Sequence, residues 1–317
     1  MDLNKIERTL KSVWVKRALQ LLVLIACLVF IYNRIQQVDI SAIAINYFAL
    51  AISLLLTAIG TWLGAVSWWI TLRVFRQMPS LNEIKDIQFK SNLVKYIPGY
   101  GWQLVGKSYM TARIGHPLNV VVASMLFEFF EIFVTGFFLM ALFIPIEYDL
   151  QHPVFTFIVE NRFLIQALAL ILLITFPLIF QFISTHYFKK HLIPRLEMRW
   201  VLLLITLLGF TWMMNSFAFS QLYTALGIQT PISYPLTVFV FTLTFLIGFL
   251  VFFAPGSIGV RESFFILLLT PVAGGPIAGL IAVVYRLVTV LAEVFVAIAN
   301  YVYKSISDNL ARTRNNS

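Results

Sequence analysis

The sequence is poor in the residues that support soluble domains, disulfides and metal sites. Charged residues make up 12% of its 317 residues, about half the share found in a typical soluble domain. Cys27 is the single cysteine, which excludes an intrachain disulfide and any cysteine-based metal or cluster site. The four histidines are dispersed without metal-ligand spacing. We therefore expect no cofactor, no metal and no catalytic set of the common kinds.

Apolar residues are abundant instead, at 60% of the chain, and they recur in long stretches from one end to the other. A stretch of about 20 such residues spans a bilayer as a helix. The predicted fold is an all-α polytopic membrane bundle of seven to eight spans, a single integral membrane domain over residues 1–317. The predicted spans are Ala18–Tyr32, Ala42–Leu72, Leu118–Ile144, Phe163–Tyr187, Trp200–Leu226, Pro235–Phe253 and Pro276–Tyr303. Val260–Thr270 is either a short eighth crossing or a re-entrant half-helix.

The net charge of +9 is concentrated in short loops and at the chain ends, so it is a topology signal and predicts no nucleic-acid partner. Residues 1–17 are typical of an interfacial basic helix, Leu81–Tyr96 of an amphipathic one, and residues 304–317 form a tail. Because basic loops stay inside, we expect a multi-pass protein of the cell (cytoplasmic) membrane with a cytoplasmic N-terminus. The tail is cytoplasmic if Val260–Thr270 crosses and external if that segment re-enters.

One broken-helix signature occurs twice. Lys95-Tyr96-Ile97-Pro98-Gly99 precedes Glu128, and Phe253-Ala254-Pro255-Gly256 precedes Arg286, with nearly the same spacing. A Pro-Gly pair ends a helix, and interrupted backbone inside a bilayer is viable only where protein or a watery cavity surrounds it. The duplication predicts an internal repeat, with halves at 42–144 and 200–303 and two broken or re-entrant segments. In transporter folds, the substrate site lies at the interface of such repeats.

The two breaks are candidate sites for an anionic headgroup, because the N-terminus of a short helix after each break would bind a phosphate. The candidates at the first break are Lys95, Pro98, Gly99, Gly101, Gln103 and Lys107. Those at the second are Pro255, Gly256, Gly259, Arg261 and Glu262. The alternatives are an ordinary interfacial kink whose lysines touch anionic lipid non-specifically, and an Arg261–Glu262 pair solvated at the membrane surface.

Four further charged residues lie in apolar runs: Glu128, Glu131, Arg286 and Glu293. A charge at the bilayer centre costs about 2.5–3.5 kcal/mol on insertion scales, so each should face a partner or water. We include all four in the binding site and hypothesise that Arg286 approaches Glu128 or Glu131 across the interface between the halves. The alternative is that these side chains lie near helix ends and reach the headgroups.

At the two Pro-Gly motifs the chain resembles the transmembrane region of lysylphosphatidylglycerol synthases, also called the flippase-like family. The segments that carry the resemblance are Lys95–Gly101 and Pro255–Glu262. The resemblance implies an integral membrane protein that moves amino-acylated or glycosylated lipids between leaflets. Synthases of that family add a soluble catalytic domain after the membrane part, and none follows here before Ser317. We therefore expect no synthase activity.

The leading hypothesis is a translocator of an anionic phospholipid, or of a lipid-linked glycan or aminoacyl lipid, with membrane lipids as its partners. Two alternatives stay open. One is a non-transporting membrane platform for a separate glycosyl- or aminoacyl-transferase. The other is a membrane transferase acting on a polyprenyl phosphate, with a glutamate as base.

Overall fold

The computed structural model describes residues 44–94, 102–146, 153–187, 195–228, 232–250 and 259–315, together with residues 29, 32 and 36. Every regular element in these ranges is an α-helix. The helices are α1 Tyr47–Val74, α2 Leu81–Val94, α3 Trp102–Arg113, α4 Leu118–Leu142, α5 Pro153–Glu160, α6 Arg162–Tyr187, α7 Met198–Ala225, α8 Tyr234–Leu250, α9 Val260–Ala273 and α10 Gly275–Asn315. Five of them (α1, α4, α6, α7 and α10) are long and apolar enough to cross a membrane. The chain is thus an all-helical, multi-pass membrane protein.

The helix bounds agree closely with the predicted spans, and Val260–Thr270 is indeed a separate short helix, α9. Residues 1–28, which hold the predicted basic helix and most of the first span, lie outside the described residues. The predicted tail differs, because α10 continues without a break through Asn315. Along α6, large apolar side chains such as Phe163, Leu168 and Ile174 are exposed, as expected of a helix that faces lipid.

The first helix of each half packs against the other, and the two run antiparallel. Three hydrogen bonds join them at successive levels: Asn46 N donates to Ala225 O (2.9 Å), Ser53 Oγ to Ala218 O (2.7 Å) and Glu197 N to Val74 O (3.0 Å). Across these three bonds the residue number rises from 46 to 74 at the α1 side and falls from 225 to 197 at the α7 side, as in an antiparallel pair. Because α1 and α7 are the opening helices of the two halves, the halves are inverted relative to each other.

The helix packing repeats between the halves. Successive helices pack within α1–α4 and within α7–α10, and α1 also packs on α4 as α7 packs on α10. Between the halves, α1 packs on α7, α2 on α10, α8 on α4, α4 on α7 and α10 on α1. Exchanging α1, α2, α3 and α4 for α7, α8, α9 and α10 reproduces this set of helix pairs, with only α5 and α6 left out of it. Among the helices described, the two sets of four thus pack in the same pattern.

Helices α2 and α3 form a hairpin whose outer ends lie beside the C-terminal end of α1. Ile84 of α2 packs with Leu72 of α1 in one buried cluster. At the far end of α3, His116 Nδ1 lies 2.8 Å from Gln77 Oε1 in the turn that follows α1. The residues between α2 and α3 include the first Pro-Gly pair and are outside the described ranges. The chain therefore leaves and returns to the same end of the bundle.

That end of the bundle gathers basic residues from both halves. Arg76 lies 3.8 Å from Glu197, which precedes α7. Further along α10, Asn300 Nδ2 donates to Asp86 Oδ1 of α2 at 2.6 Å, and Lys304 Nζ bonds the other carboxylate oxygen. Burial acts to raise the pKa of Asp86, but these two hydrogen bonds and the charges of Lys304 and Lys90 together outweigh it and the pKa is lowered. The C-terminal part of α10 therefore lies at the same end as the loops after α1 and before α7.

Close packing between α4 and its neighbours gives a direct test of the fold. A Cβ atom at Gly136 would lie 2.8 Å from the Trp212 ring and 3.2 Å from Leu246 Cδ2. Gly136→Ala should therefore lower the free energy of unfolding by about 1–3 kcal/mol through overpacking, as measured by thermal unfolding in detergent. Gly209 of α7 has no atom within 4 Å of its added Cβ, so Gly209→Ala should be neutral or stabilising. Equal stability of the two variants would contradict this packing.

Candidate functional site

The described candidate residues fall mostly into two groups. Lys95, Pro98, Gly99, Gly101, Pro255 and Gly256 lie outside the described residues, and Gln103 is in the first turn of α3. The first centre comprises Lys107 and Glu128 with Ser67 and Trp68 of α1. The second centre comprises Arg261, Glu262, Arg286 and Glu293, with Phe245 and Tyr285. Glu131 belongs to neither ion pair and lies one turn beyond Glu128 on α4.

The first centre is a buried and fully engaged ion pair. Lys107 Nζ is 2.7 Å from Glu128 Oε2, and each residue is 6% exposed. The other carboxylate oxygen, Oε1, accepts a hydrogen bond from Ser67 Oγ at 3.1 Å. The ammonium also lies 4.0 Å from the centre of the Trp68 ring, a cation–π contact. Lys107 is thus held by a carboxylate and an aromatic face instead of pointing freely into the first break.

The second centre begins with a helix cap. Gly259 has φ +86°, a conformation that favours glycine. Its N–H donates to Glu262 Oε2 at 2.7 Å, which caps the first turn of α9. The second oxygen, Glu262 Oε1, is 3.7 Å from Arg286 Nε on α10. One carboxylate therefore both caps the N-terminus of α9 and contacts Arg286 in the N-terminal third of α10.

Arg261 completes the second centre. Its guanidinium lies 4.1 Å from the centre of the Phe245 ring, and its buried Nε has no hydrogen-bond partner among the described residues. Arg286, Glu262, Tyr285 and Glu293 are its electrostatic neighbours. The cavity between Phe245, Arg261 and Tyr285 is about 10 Å³, room for about one water molecule. Two guanidinium groups thus share a small polar site that has no room for a larger ligand in this conformation.

The long-helix charges of the two centres, Glu128 and Arg286, occupy equivalent positions in the two halves. Trp68 and Phe219 each lie 21 residues after the first residue of α1 and α7. Lys107 and Phe265 each follow the start of α3 and α9 by five residues, and Glu128 and Arg286 follow those same starts by 26. The contacts match as well: Lys107 lies over Trp68 as Phe265 stacks on Phe219, with ring centres 4.6 Å apart.

The predicted pairing between the halves is wrong. Glu128 bonds Lys107 and Ser67, and neither Glu128 nor Glu131 forms an ion pair with Arg286. Each central charge instead pairs with the short helix of its own half, Glu128 with α3 and Arg286 with α9. In each half the short helix packs on the long helix that follows it. The partner of each charge therefore comes from the adjacent short helix and not from the other half.

The surface alternatives are not what the structure shows either. Glu262 is 5% exposed, so the Arg261–Glu262 segment is not a solvated surface pair. Glu293 is also buried, at 7%. Sequence reasoning missed Ser67, Trp68, Phe245 and Tyr285, which are common residue types in apolar runs. The equal offsets of Trp68 and Phe219 were the one available signal, and they become visible only once the helix starts are known.

Comparison of the chain with known protein families and with curated proteins finds no match. The functional assignment therefore rests on the two centres and on the inverted repeat.

Proposed function

We propose that the protein is a translocator that moves an amphiphile with an anionic headgroup between the leaflets of the cell membrane. Anionic phospholipids and lipid-linked glycans or aminoacyl lipids share this chemistry. Acyl chains would stay in the bilayer while the headgroup passes through the protein. A phosphate-bearing headgroup needs charged donors inside the membrane, and a buried guanidinium provides them in a fork that fits phosphate oxygens.

The observation that carries the proposal is a charged centre in each of two inverted halves, with Glu128 and Arg286 at equivalent positions of the two long helices. Buried charges in membrane spans are costly and mark substrate or ion pathways. Inverted repeats with discontinuous helices are the architecture of many secondary transporters, and they allow a site to open alternately to the two sides. A purely structural role would not require both features together.

The second centre is the better headgroup site of the two. Lys107 of the first centre is already neutralised by Glu128 at 2.7 Å. By contrast, Arg261 directs its charge at an aromatic ring and keeps a buried Nε without an acceptor among the residues described. An anionic oxygen would supply that acceptor. Because the cavity holds about 10 Å³, the headgroup enters only after α8, α9 and α10 move apart.

We also propose an arrangement in the membrane. In it, α2–α3 and α8–α9 are re-entrant hairpins; the packing of both ends of α2–α3 beside the C-terminal end of α1 supports this for the first, and the matching helix pairs extend it to the second. The end that holds Arg73, Arg76, Arg199 and Lys304 would be cytoplasmic by the positive-inside rule. The N-terminus and the C-terminal part of α10 would then both be cytoplasmic. This assignment also makes a re-entrant second break compatible with a cytoplasmic tail. A re-entrant hairpin enters and leaves the membrane on the same side, so α8–α9 does not change the side on which α10 begins.

The resemblance to the flippase-like family supports the same proposal, and it suggests anionic phosphatidylglycerol and its lysyl derivative as the first lipids to test. The platform and transferase alternatives predict different results in one experiment. Purified protein is placed in phosphatidylcholine vesicles that contain tail-labelled phosphatidylglycerol, and the label in the outer leaflet is quenched with a membrane-impermeant reductant. Label that continues to reach the outer leaflet reports translocation.

Arg261→Gln is expected to slow this translocation by about 10- to 100-fold. The variant loses charge-assisted hydrogen bonds to the phosphate, worth about 1.5–3 kcal/mol, and each 1.4 kcal/mol is tenfold. Arg199→Gln is the matched control, because the Arg199 side chain is 74% exposed and lies in the first turn of α7. It should translocate at the wild-type rate.

Three results would contradict the proposal. If about half of the label stays protected in vesicles with the wild-type protein, the protein does not translocate the lipid unassisted. A transferase that co-purifies with the protein would then favour the platform. Covalent conversion of the lipid would favour the transferase. Equal translocation rates for Arg261→Gln and Arg199→Gln would mean that the second centre does not bind the headgroup during translocation.

A further inference from the structure

Glu131 differs from every other buried carboxylate of the two centres. It lies on α4 one turn after Glu128, and its exposed fraction is 0%. Neither Oε1 nor Oε2 has a hydrogen-bond partner among the described residues. Glu128, on the same face of the same helix, has a lysine on one oxygen and a serine hydroxyl on the other. The same side-chain type thus lies in two opposite environments about 5 Å apart along the helix axis.

No neighbouring helix brings a spare cation to Glu131. The helices packed against α4 are α1, α3, α6, α7 and α8. In α3, Lys107 is engaged by Glu128 and Arg113 is the last residue, while α8 has no charged residue. The remaining charged or titratable groups of α1, α6 and α7 lie in their terminal turns: Arg73, Arg162, His186 and Arg199, with the tyrosines Tyr47, Tyr187 and Tyr223. An ionised carboxylate without water or donors is far costlier than a neutral one.

The charge balance of the interior leads to the same conclusion. Lys107 and Glu128 cancel, and the second centre has two arginines and two glutamates. An ionised Glu131 would add one uncompensated negative charge to this set. Thr135, four residues further along the same face, has a buried Oγ1 that also lacks a partner in the part of the chain that the structure describes. Among the residues described, this part of α4 therefore offers Glu131 a hydroxyl, which can bond a neutral acid, and no cation that would balance an anion.

We propose that Glu131 is a proton-binding site, holding a proton in this closed conformation and releasing it to water when the face of α4 opens. The O–H bond breaks, the electron pair stays on the carboxylate, and the proton leaves to bulk water; closure takes one proton back. Coupling of this step to lipid movement rests on the proposed function. The proton site itself does not, because it follows from the burial of Glu131 and from its lack of a partner among the described residues.

Infrared spectroscopy tests the proton site without any transport assay. A protonated carboxyl has a C=O stretch well separated from the carboxylate bands. Wild-type protein in lipid nanodiscs at pH 7 should show this band, and its absence there would overturn the proposal without any variant. Glu131→Gln should lose the band, Glu131→Asp should keep it at a shifted position, and the exposed Glu83→Gln should leave it unchanged. An unchanged band in Glu131→Gln would assign the proton to another residue.

A pH gradient across the phosphatidylglycerol vesicles tests the coupling. Wild-type translocation should change when the gradient is reversed, whereas translocation by Glu131→Gln should be the same in both directions. A wild-type rate that ignores the gradient overturns the coupling. Absence of wild-type translocation overturns the proposed function, while the infrared band continues to report the proton site. The two failures are therefore distinguishable.

Discussion

Lys107→Met is expected to lower the free energy of unfolding by about 3–5 kcal/mol, the cost of leaving one member of a buried ion pair without its partner. Methionine preserves the unbranched stem of Lys107 against Trp68 and removes only the ammonium. Glu128 would then keep a single hydrogen bond, from Ser67, in a site that is 6% exposed. Thermal unfolding in detergent, followed by the loss of monomeric protein on size exclusion, measures the change.

A double variant separates the ion pair from simple packing damage. Lys107→Met combined with Glu128→Leu should recover most of the lost stability, because replacing both members of a buried pair by apolar residues is often neutral. Arg199→Met is the control, since the Arg199–Glu197 pair is largely exposed and such pairs contribute at most about 1 kcal/mol. If the two single losses simply add in the double variant, Lys107 and Glu128 do not interact.

Glu262→Ala should produce the second large loss of stability, because it removes both the cap of α9 and the carboxylate that faces Arg286. Glu262→Gln keeps an acceptor for the Gly259 N–H and removes only the charge. We expect the glutamine variant to lose about 3 kcal/mol and the alanine variant about 1 kcal/mol more, the typical value of an N-cap. The same thermal measurement ranks the two variants.

The N-terminus of α2 provides a matched control for the cap. Ser80 Oγ and Glu83 Oε2 lie 2.6 Å apart, and Ser80 N donates to the same carboxylate at 3.3 Å. This cap is exposed, so Glu83→Gln should change stability far less than Glu262→Gln. Equal effects at the two positions would mean that the contact with Arg286 contributes nothing. A loss confined to Glu262→Ala would assign the whole effect to the cap.

The helices were largely predictable because the membrane imposes simple rules on sequence. A span must be apolar over about 20 residues and must satisfy its backbone internally, so α1, α4, α6, α7 and α10 are visible as long apolar runs. The amphipathic α2 and the short α9 follow from periodicity and from the Pro-Gly break. The repeat was visible in the spacing of Glu128 and Arg286 after the two breaks. Local chemistry thus determined element type and approximate length, and it predicted two related halves.

Partner choice was not predictable from spacing. Lys107, Ser67 and Glu128 come from three helices, and they meet because α1, α3 and α4 pack together in the first half. An electrostatic argument from the sequence requires only that Glu128 have some positive partner, and both Lys107 and Arg286 satisfy that requirement. The antiparallel packing of α1 against α7 and the return of each short helix onto its own long helix select Lys107.

The sequence by itself therefore determined a multi-pass helical bundle with costly charges at two equivalent positions, because burial in lipid leaves few alternatives for apolar runs and makes each charge conspicuous. Only the tertiary structure decided which charges neutralise one another and which carboxyl, Glu131, is left without a partner among the residues described. The physical reason is distance: Coulomb and hydrogen-bond energies fall steeply over a few ångströms, and separations of that size are set by helix packing.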